Sequence, residues 1–490
     1  MNVSPQHDSS RDPAQSLAES ATRLDPRPLG PDDPRYVPLG DGRGTQELVE
    51  LEAILRNAAR VPKAYAKCAF VGARGSGKST YLLHLEKELQ DEGLFTPIHI
   101  YLDASLESDC DYSDIYLWIG DQIAQAFQEA DHPLDDDVLS RFTLWFADKA
   151  FTDASEWKKE IGLEASVEAS ARTGLPGIFS LKLLARLKSM IVGSETSRRE
   201  IRRHVQNYAT ELRDLMDALL DHAREVLKKA GKPERLLIVQ DNLDRITPRE
   251  KAQHLFYSGG DMLVSIRADI IFTAPVAMNL APIDIGRTFP HVITMPNVKV
   301  RLRNGDLHPA GIDSLVRLID RRISIDLVFE SPEVARYLAE KSGGSVRDLI
   351  RLLDSAQLKA QVAQKERVDQ ESAAEAVRKL SINFSRLLFP ESVYFPILVE
   401  VHQTKTRHAQ PETEATREAV QAAREFFAEL MGNGSVLEYN GDDSWYDVHP
   451  AVCDTDKFKD ALATATGPRQ KAPAKKAAAK RARPARRKGG

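Results

Sequence analysis

Short apolar runs along this chain separate longer stretches in which apolar residues recur every three or four positions. Four runs are clear: Cys68–Val71, Phe95–Asp103, Arg235–Asp241 and Asp269–Thr273. Their continuous or alternating apolar pattern is typical of buried strands, and the periodic stretches between them are typical of amphipathic helices. Because strands alternate with helices, we predict an α/β fold with a mostly parallel sheet.

One segment, about residues 131–230, fits this alternation less well, and we predict that it is a helical insertion. From Arg198 to Lys229 the apolar residues fall at spacings of three and four, which predicts one helix about 45 Å long. The same stripe would suit a coiled coil. The alternative is one helix that lies across the sheet or the insertion. For about residues 131–193, packing against the chain's own domain and docking of a partner both stay open.

The two ends of the folded part differ in pattern. Residues 1–45 are rich in Pro, Asp, Ser and Gly without periodicity, which predicts a disordered lead with an ordered end near Tyr36-Val-Pro-Leu. Residues 46–305 hold the predicted strands and would form the sheet domain. Residues 306–382 follow with a helical pattern, and residues 383–466 form a further unit.

Within that last unit, an amphipathic helix over Thr416–Met431 precedes alternating residues on both sides of Asn440 and Gly441. An Asn-Gly pair between alternating stretches is a strong signal of a β-hairpin. The helix carries glutamates as well as arginines and is poorly charged for DNA phosphates. Packing inside the molecule and reading of DNA are both compatible with it.

The segment Gly72-Ala-Arg-Gly-Ser-Gly-Lys78-Ser79 matches the P-loop pattern G-x-x-x-x-G-K-[ST] between a strand and a helix. Its glycines let backbone N–H groups and the next helix's N-terminus face phosphate oxygens. The lysine neutralises phosphate charge and the hydroxyl reaches Mg²⁺. We predict ATP and Mg²⁺ as cofactors, with nucleotide-binding residues Gly72, Ala73, Arg74, Gly75, Ser76, Gly77, Lys78, Ser79 and Thr80, of which Ser79 is also a metal ligand.

The strand Arg235–Asp241 ends in the acidic sequence Asp241-Asn242-Leu-Asp244-Arg245. This is the form of a Walker B element, in which an aspartate at a strand tip holds the Mg²⁺ shell beside the P-loop. Asp241 is the predicted metal ligand. The alternative is an acidic turn that caps the next helix, a role open to Asp244.

A later stretch, Lys341-Ser-Gly343-Gly344-Ser345-Val-Arg347-Asp348, completes a set that resembles the AAA+ ATPases. The likeness spans roughly Tyr36 to Leu380 and is strongest to the branch with origin-initiator and STAND switch ATPases. The Walker B element also resembles the D-D-L-D-R of KAP NTPases. The resemblance implies that residues 306–382 are a helical lid, that 383–466 are a winged helix, and that the chain forms a homo-oligomer.

The same resemblance implies roles for three further residues. Thr273, at the end of a strand, matches sensor 1, and Arg347 matches the lid arginine called sensor 2. Arg287 lies where the family often places an arginine finger offered to a neighbouring subunit. From the residues alone, Ser345 and Asp348 have capping-box spacing, which puts Arg347 in a first helical turn where a nearby phosphate would offset the unfavourable dipole.

One position departs from the family pattern. Asn242 occupies the place of the usual catalytic acid, and an asparagine can orient a water but cannot take its proton. We therefore predict slow hydrolysis, with Asp244 as a candidate substitute base. The catalytic candidates are Asp241, Asn242, Asp244, Thr273, Arg287 and Arg347.

Charge is distributed unevenly along the chain. Residues 467–490 carry ten Lys or Arg and no acid, so a net charge of −5 hides a remainder at −15. A lysine- and arginine-rich tail of Ala and Pro cannot build a core, so we predict that it is disordered and contacts nucleic acid without sequence preference. An acidic protein partner or a role in solubility stays open for it.

Cysteine spacing and hydropathy indicate the cellular compartment. The three cysteines are far apart and form no C-x-x-C, and no stretch approaches the ~18 apolar residues of a membrane helix. We expect a cytoplasmic protein without a membrane partner. Its function is predicted as a slow ATP-dependent switch acting on nucleic acid or protein, and a nucleotide-bound scaffold or a DNA-binding protein stabilised by nucleotide are the alternatives.

Overall fold

The structure is a computed structural model, and it describes residues 12–44, 46–151, 177–280, 285–407, 417–439 and 444–466. The strands are β1 (Lys67–Gly72), β2 (Thr96–Tyr101), β3 (Leu236–Asp241), β4 (Asp269–Pro275), β5 (His291–Met295), β6 (Val436–Tyr439) and β7 (Trp445–Val448). The first five form one sheet and the last two form a hairpin.

Helices surround this sheet and continue beyond it. Up to β5 the described helices are α1 (Leu17–Arg23), α2 (Gly40–Arg43), α3 (Gln46–Arg60), α4 (Lys78–Asp91), α5 (Tyr112–Glu129), α6 (Asp136–Ala150), α7 (Gly177–Gly193), α8 (Glu195–Gln206), α9 (Ala209–Lys229), α10 (Arg249–Gln253) and α11 (Gly260–Ser265). After β5 they are α12 (Pro309–Asp320), α13 (Ile325–Val328), α14 (Pro332–Lys341), α15 (Val346–Val362), α16 (Gln370–Leu387), α17 (Glu391–Thr404), α18 (Arg417–Gly432), α19 (Pro450–Cys453) and α20 (Asp456–Thr466). In these described parts of the chain, none of the helices is long and apolar enough to cross a bilayer.

The central sheet is parallel throughout, with the strand order β2-β3-β4-β1-β5. Because parallel strands share a direction, their carboxyl ends meet at one edge. The loop after β1, the tip of β3 and the end of β4 therefore lie at the same edge, with β4 between β1 and β3. The predicted α/β fold with a parallel sheet is confirmed.

Along β1, alternate residues pack into the hydrophobic cores on opposite faces of the sheet. Cys68 and Phe70 pack on one face with leucines of α3 and α4, whereas Ala69 and Val71 belong to the larger core on the other face. Successive side chains of a strand point to opposite faces, so both faces are covered and the strand is apolar throughout. This burial fixes β1, and with it the loop that follows.

The amino-terminal segment differs from the predicted disordered lead. Residues 12–44 contain α1 and α2, and Ala14 forms a parallel bridge with Ile323. Leu17, Leu24 and Leu29 are buried. Three leucines widely spaced in a proline-rich segment give no local periodicity, yet each finds a place in the core. Residues 1–11 lie outside the described residues.

The predicted single helix over Arg198–Lys229 is divided in two. α8 ends at Gln206 and α9 begins at Ala209, so the predicted helix is interrupted at residues 207 and 208. α8 is tied to the segment after β2, because Arg202 forms ion pairs with Asp109 at 2.8 Å and with Asp114 at 2.5 Å. These buried pairs favour a bend over one straight rod. The part of the insertion at residues 152–176 lies outside the described residues.

The carboxyl-terminal region consists of helices followed by a hairpin, as expected for a helical lid and a winged helix. β6 and β7 pair antiparallel, with Val436 opposite Val448. The hairpin packs inside the molecule: the Tyr439 hydroxyl donates to Gly343 O at 2.8 Å, and Asn297 N donates to Glu438 O at 3.1 Å. The domain boundaries themselves stay predictions, and the basic tail lies outside the described residues.

A glycine on α5 provides a test of how closely the insertion packs. A Cβ on Gly120 would lie 2.3 Å from Cε1 of Phe142 on α6. We expect Gly120→Ala to destabilise the protein by about 1–3 kcal/mol through overpacking. Thermal unfolding measures this, with Gly193→Ala as the control because nothing lies within 4 Å of its Cβ position. Equal unfolding midpoints for the two variants would contradict the close packing of α5 on α6.

Candidate nucleotide-binding site

The loop after β1 adopts a conformation that few sequences allow. Gly75 and Gly77 have φ of 89° and 97°, in the left-handed region. Helix α4 then starts at Lys78 with Gly77 as its N-cap and no side-chain cap. The first N–H groups of a helix have no partner within it, so uncapped ones are available to an anion.

The loop lysine is held inside the loop. Lys78 is 4% exposed, and its Nζ donates to Gly72 O at 2.8 Å and to Ala73 O at 3.0 Å. Nζ also forms an ion pair with Asp244 Oδ2 at 2.7 Å. Asp244 therefore contacts the loop directly. An anion entering the loop would compete with this carboxylate for the lysine.

Asp241 lies at the tip of β3 and is 1% exposed. Its Oδ1 accepts a hydrogen bond from Asn242 N at 2.7 Å, while Oδ2 is buried and accepts no hydrogen bond from the described residues. Burial favours protonation, but contacts with His99 and Ser79 hold the pKa of Asp241 below its ordinary value. The carboxylate is thus charged, and its Oδ2 faces His99 Nε2 at 3.5 Å, beyond a short hydrogen bond.

These oxygens suit a magnesium ion. Mg²⁺ commonly takes one or two protein ligands and completes its shell with phosphate and water. Asp241 and the Ser79 hydroxyl supply such a partial set. Among the described residues, no group of three or more His, Cys, Asp or Glu side chains is placed to hold a metal. A metal here would therefore depend on phosphate oxygens for the rest of its shell.

His99 and Glu86 join this edge of the sheet and are not among the residues expected from the sequence. Nδ1 of His99 on β2 lies 2.6 Å from Glu86 Oε1 on α4, and its Nε2 lies 3.5 Å from Asp241 Oδ2. Burial works against the charged ring, but the two carboxylates raise the pKa of His99 to about 9. The sequence signal that could have identified His99 is its place as a polar residue in the middle of an apolar strand, next to β3.

Thr273 and Asn242 both act on the turn after β3. The Thr273 hydroxyl is buried and accepts a hydrogen bond from Leu243 N at 3.1 Å. Asn242 has φ of 67°, a left-handed conformation that asparagine tolerates better than most residues. The turn that carries the acidic residues is therefore held from the neighbouring strand β4.

A cavity of about 350 Å³ opens beside the loop, within the range of small-ligand sites. Of the predicted residues, Gly75, Gly77, Lys78, Ser79, Thr80, Asn242, Asp244 and Arg347 line it. Gly72, Ala73, Arg74, Ser76, Asp241 and Thr273 lie in or behind the same edge. The cavity's apolar wall comes from the amino-terminal segment and the helical lid, and includes Leu29, Val37 and Ile350.

Arg347 comes from the lid and rests on the loop. Its backbone N donates to Gly75 O at 3.2 Å, and a Cβ on Gly75 would lie 2.4 Å from Cβ of Arg347. Ser345 caps α15 by accepting from Asp348 N, as the capping pattern predicts. Burial, with the neighbouring cations Arg351 and Arg74, lowers the pKa of Arg347. A group that balances this charge would be favoured here.

Arg287 is not brought to the cavity. It is an exposed residue of the 3₁₀ turn Ile285–Arg287, just before β5. The described residues that line the cavity do not include it. Its predicted role in a neighbouring subunit's site stays a prediction.

Arg43 and Tyr36 border the cavity from the amino-terminal segment. The Tyr36 ring stacks on His84 of α4 with centroids 3.5 Å apart. Arg43 is buried and donates to Ser76 O of the loop. Arg43 was not among the residues expected from the sequence, since an arginine between two glycines in an irregular segment has no local signal.

The raised pKa of His99 predicts a pH dependence of stability. A histidine whose folded pKa is about 9, against an ordinary 6.5, stabilises fully below pH 6.5 and loses this contribution as the pH rises through 9. In nucleotide-free and magnesium-free protein, we expect the free energy of unfolding of the wild type, taken relative to His99→Gln, to fall over that range by up to about 1.4 kcal/mol per pH unit. Urea unfolding of the wild type and His99→Gln measures it.

His132→Gln is the control for the loss of a histidine outside this cluster. It should follow the wild-type pH profile, whereas His99→Gln should show a flatter one. Parallel profiles for the wild type and His99→Gln would show that His99 does not carry the charge that its carboxylate neighbours favour.

No protein-family model and no curated protein matches this chain. Among solved structures it is similar to Drosophila ORC bound to DNA, at 12% identity over 94% of this chain and 95% of that one, with a TM-score of 0.37. It is also similar to the ORC2 protein of Aeropyrum pernix in its ADP form, at 12% identity, 88% and 93% coverage and a TM-score of 0.39. The RuvB Holliday junction branch migration motor of Thermotoga maritima gives 12% identity, 89% and 98% coverage and a TM-score of 0.36. With identities and scores this low, these likenesses say nothing about what this chain does.

Proposed function

We propose that this chain is an ATP-binding switch ATPase of the AAA+ type with slow hydrolysis. The observation that carries the proposal is the buried Lys78 inside a glycine loop, beside a cavity that is closed by Arg347 of the lid. Nucleotide binding would replace the Lys78–Asp244 ion pair and balance the charge of Arg347. The position of the lid would then depend on the nucleotide that is bound.

The metal-binding role in this proposal belongs to Ser79 and Asp241. When bound, Mg²⁺ would neutralise phosphate charge and orient the nucleotide. The buried Asp241 Oδ2, without a hydrogen bond among the described residues, supports a ligand at this point. His99 and Glu86 hold the carboxylate from behind. These contacts favour a charged, oriented Asp241 before any metal arrives.

Turnover would be slow because Asn242 offers no carboxylate to take a proton from water. Asp244 is the nearest alternative base by sequence, but it is engaged with Lys78 at 2.7 Å. Its release from the lysine on nucleotide binding would place a carboxylate at the cavity. Thr273 would sense the site through the turn at Leu243, and Arg347 through the lid.

Partners belong to the same proposal. We propose a homo-oligomer in which Arg287, exposed on its 3₁₀ turn, faces a neighbouring subunit's site. The basic tail at residues 467–490 supports contact with nucleic acid through non-specific attraction to phosphate. The second candidate is a nucleotide-bound scaffold with little turnover, which the absence of an acid at position 242 favours.

The nucleotide site is tested by Lys78→Ala. Its ammonium is the main cation within the loop, and charge-assisted hydrogen bonds to phosphate are the strong ones. We expect ATP affinity to fall by at least about 10- to 100-fold, measured by isothermal titration. Lys87→Ala, which removes an exposed lysine of α4 that pairs with Asp91, is the control and should bind normally. Binding by Lys78→Ala within about twofold of wild type would refute the site.

The missing base is tested by Asn242→Glu. General-base catalysis is typically worth about 10² to 10⁴ in rate, so we expect faster phosphate release with little change in ATP affinity. Asn242→Gln is the matched control, because it has the same length without the carboxylate and the same strain in a left-handed conformation. Both variants and the wild type are compared in a steady-state phosphate-release assay.

Two results would contradict the proposal of a missing base. One is wild-type turnover on the order of 10 per second, typical of an efficient enzyme. The other is equal rates for Asn242→Glu and Asn242→Gln. In the first case Asp244→Asn shows whether Asp244 is the base, since it should then lose turnover while ATP still binds.

A further inference from the structure

Arg43 lies at the end of α2, and its direction is fixed by the backbone around it. A Cβ on the preceding residue, Gly42, would lie 2.7 Å from Cγ1 of Val298 and 2.9 Å from Cα of Gly311. Gly42 O also accepts a hydrogen bond from Lys299 N at 2.8 Å. The backbone of this turn is therefore held against the segment after β5. This limits the directions in which the Arg43 side chain can extend.

The guanidinium of Arg43 packs on the glycine loop. Arg43 is 5% exposed and donates to Ser76 O through one terminal nitrogen. That nitrogen would lie 3.4 Å from a Cβ placed on Gly77. Arg43 lines the same cavity as Lys78 and Ser79. The group is therefore at the phosphate end of the cavity as defined by the loop.

This buried cation has no anion near it. Nε of Arg43 is buried without a hydrogen bond, and no carboxylate of the described residues forms an ion pair with it. Two other largely buried arginines are paired with carboxylates: Arg202 with Asp109 at 2.8 Å and Arg235 with Asp269 at 2.6 Å. Removing one charge from water without a partner is strongly unfavourable.

Arg322 borders the same cavity, but its hydrogen-bond partners differ from those of Arg43. It too is buried, but one of its terminal nitrogens donates to two backbone carbonyls, those of Arg35 and Leu318. These contacts join the amino-terminal segment to α12, and they give Arg322 a structural role. Nε of both arginines is buried without a hydrogen bond, and the difference is that the carbonyl contact of Arg43 is on the glycine loop.

We propose that Arg43 is a second buried cation of the nucleotide site, whose charge is balanced by a phosphate group of the bound nucleotide. This inference rests on the proposed function. A planar guanidinium with several donors suits phosphate oxygens, and one donor on Ser76 O leaves others for the ligand. Burial lowers the pKa of Arg43 to about 10, which is the cost that a phosphate would remove.

With Arg43 at the nucleotide site, the ordered amino-terminal segment contributes directly to that site. Residues 12–44 supply Arg43 to the loop, and Leu29 N donates to the Thr80 hydroxyl at 3.2 Å. The segment therefore contacts the loop through Arg43 and the first turn of α4 through Leu29. Nucleotide binding would tighten the segment on the loop by adding a shared anion.

Two substitutions separate charge from hydrogen bonding. Arg43→Lys keeps a cation, whereas Arg43→Gln keeps an N–H donor for Ser76 O without the charge. With full-length protein and ADP as the probe, with and without Mg²⁺, we expect Arg43→Gln to weaken binding by roughly 10- to 100-fold. Arg43→Lys should stay within about fivefold of wild type. Isothermal titration measures both.

The ligand-free protein gives a second readout. If the charge of Arg43 is unbalanced without nucleotide, Arg43→Gln should unfold within about 5 °C of wild type or above it. Lys67→Gln is the matched control: Lys67 is a buried cation that donates to Ile266 O and Ala268 O at the far end of β1. It should lower the unfolding midpoint and leave ADP affinity unchanged.

Three results would overturn the role of Arg43: ADP binding by Arg43→Gln within about twofold of wild type, equal losses for Arg43→Gln and Arg43→Lys, or a ligand-free midpoint of Arg43→Gln far below that of wild type. The last would mean that Arg43 only braces the loop. Failure of the nucleotide site itself is distinguishable, because then wild type binds no ADP or Lys78→Ala binds it normally.

Discussion

The central constraint on this structure is that several positively charged side chains lie around one glycine loop. Lys78 from the loop, Arg43 from α2 and Arg347 from the lid reach it from three separate parts of the chain. Like charges in a buried place repel, and burial with neighbouring cations lowers the pKa of Arg347. Asp244 balances one of them. The packing of the three regions must therefore outweigh the repulsion between these cations.

The lid turn connects this site to the carboxyl-terminal hairpin. Val298 N donates to Gly344 O at 3.3 Å, and the Tyr439 hydroxyl donates to Gly343 O at 2.8 Å. A Cβ on Gly343 would lie 2.4 Å from Cδ1 of Leu437, so the hairpin touches the turn directly. Three residues further along, Arg347 N contacts the loop. A shift of this turn would move both the phosphate end of the cavity and the hairpin.

The acidic tip of β3 is held from behind by groups with no sequence signature of their own. Glu86, His99 and Asp241 come from α4, β2 and β3 and form a line of buried polar groups. A buried histidine between two carboxylates orients both, because each contact limits the rotation of its neighbour. This arrangement favours a site that keeps its geometry.

The sequence by itself determined the parts that depend on local pattern. The apolar runs predicted the strands of the parallel sheet, the glycine spacing predicted the loop, and Ser345 predicted the start of α15. Periodicity could not place Leu17, Leu24 and Leu29, nor the break between α8 and α9, because these depend on burial against residues far along the chain.

Only the tertiary structure brought Arg43 to Ser76 and His99 to Glu86. Neither pair has a fixed spacing or a motif, and each member alone is an ordinary polar residue in its segment. Their meeting follows from strand order and from the locked turn at Gly42. Local patterns set the backbone of the site, whereas the charges around it were decided by packing between distant segments, since burial and ion pairing act through space and not along the sequence.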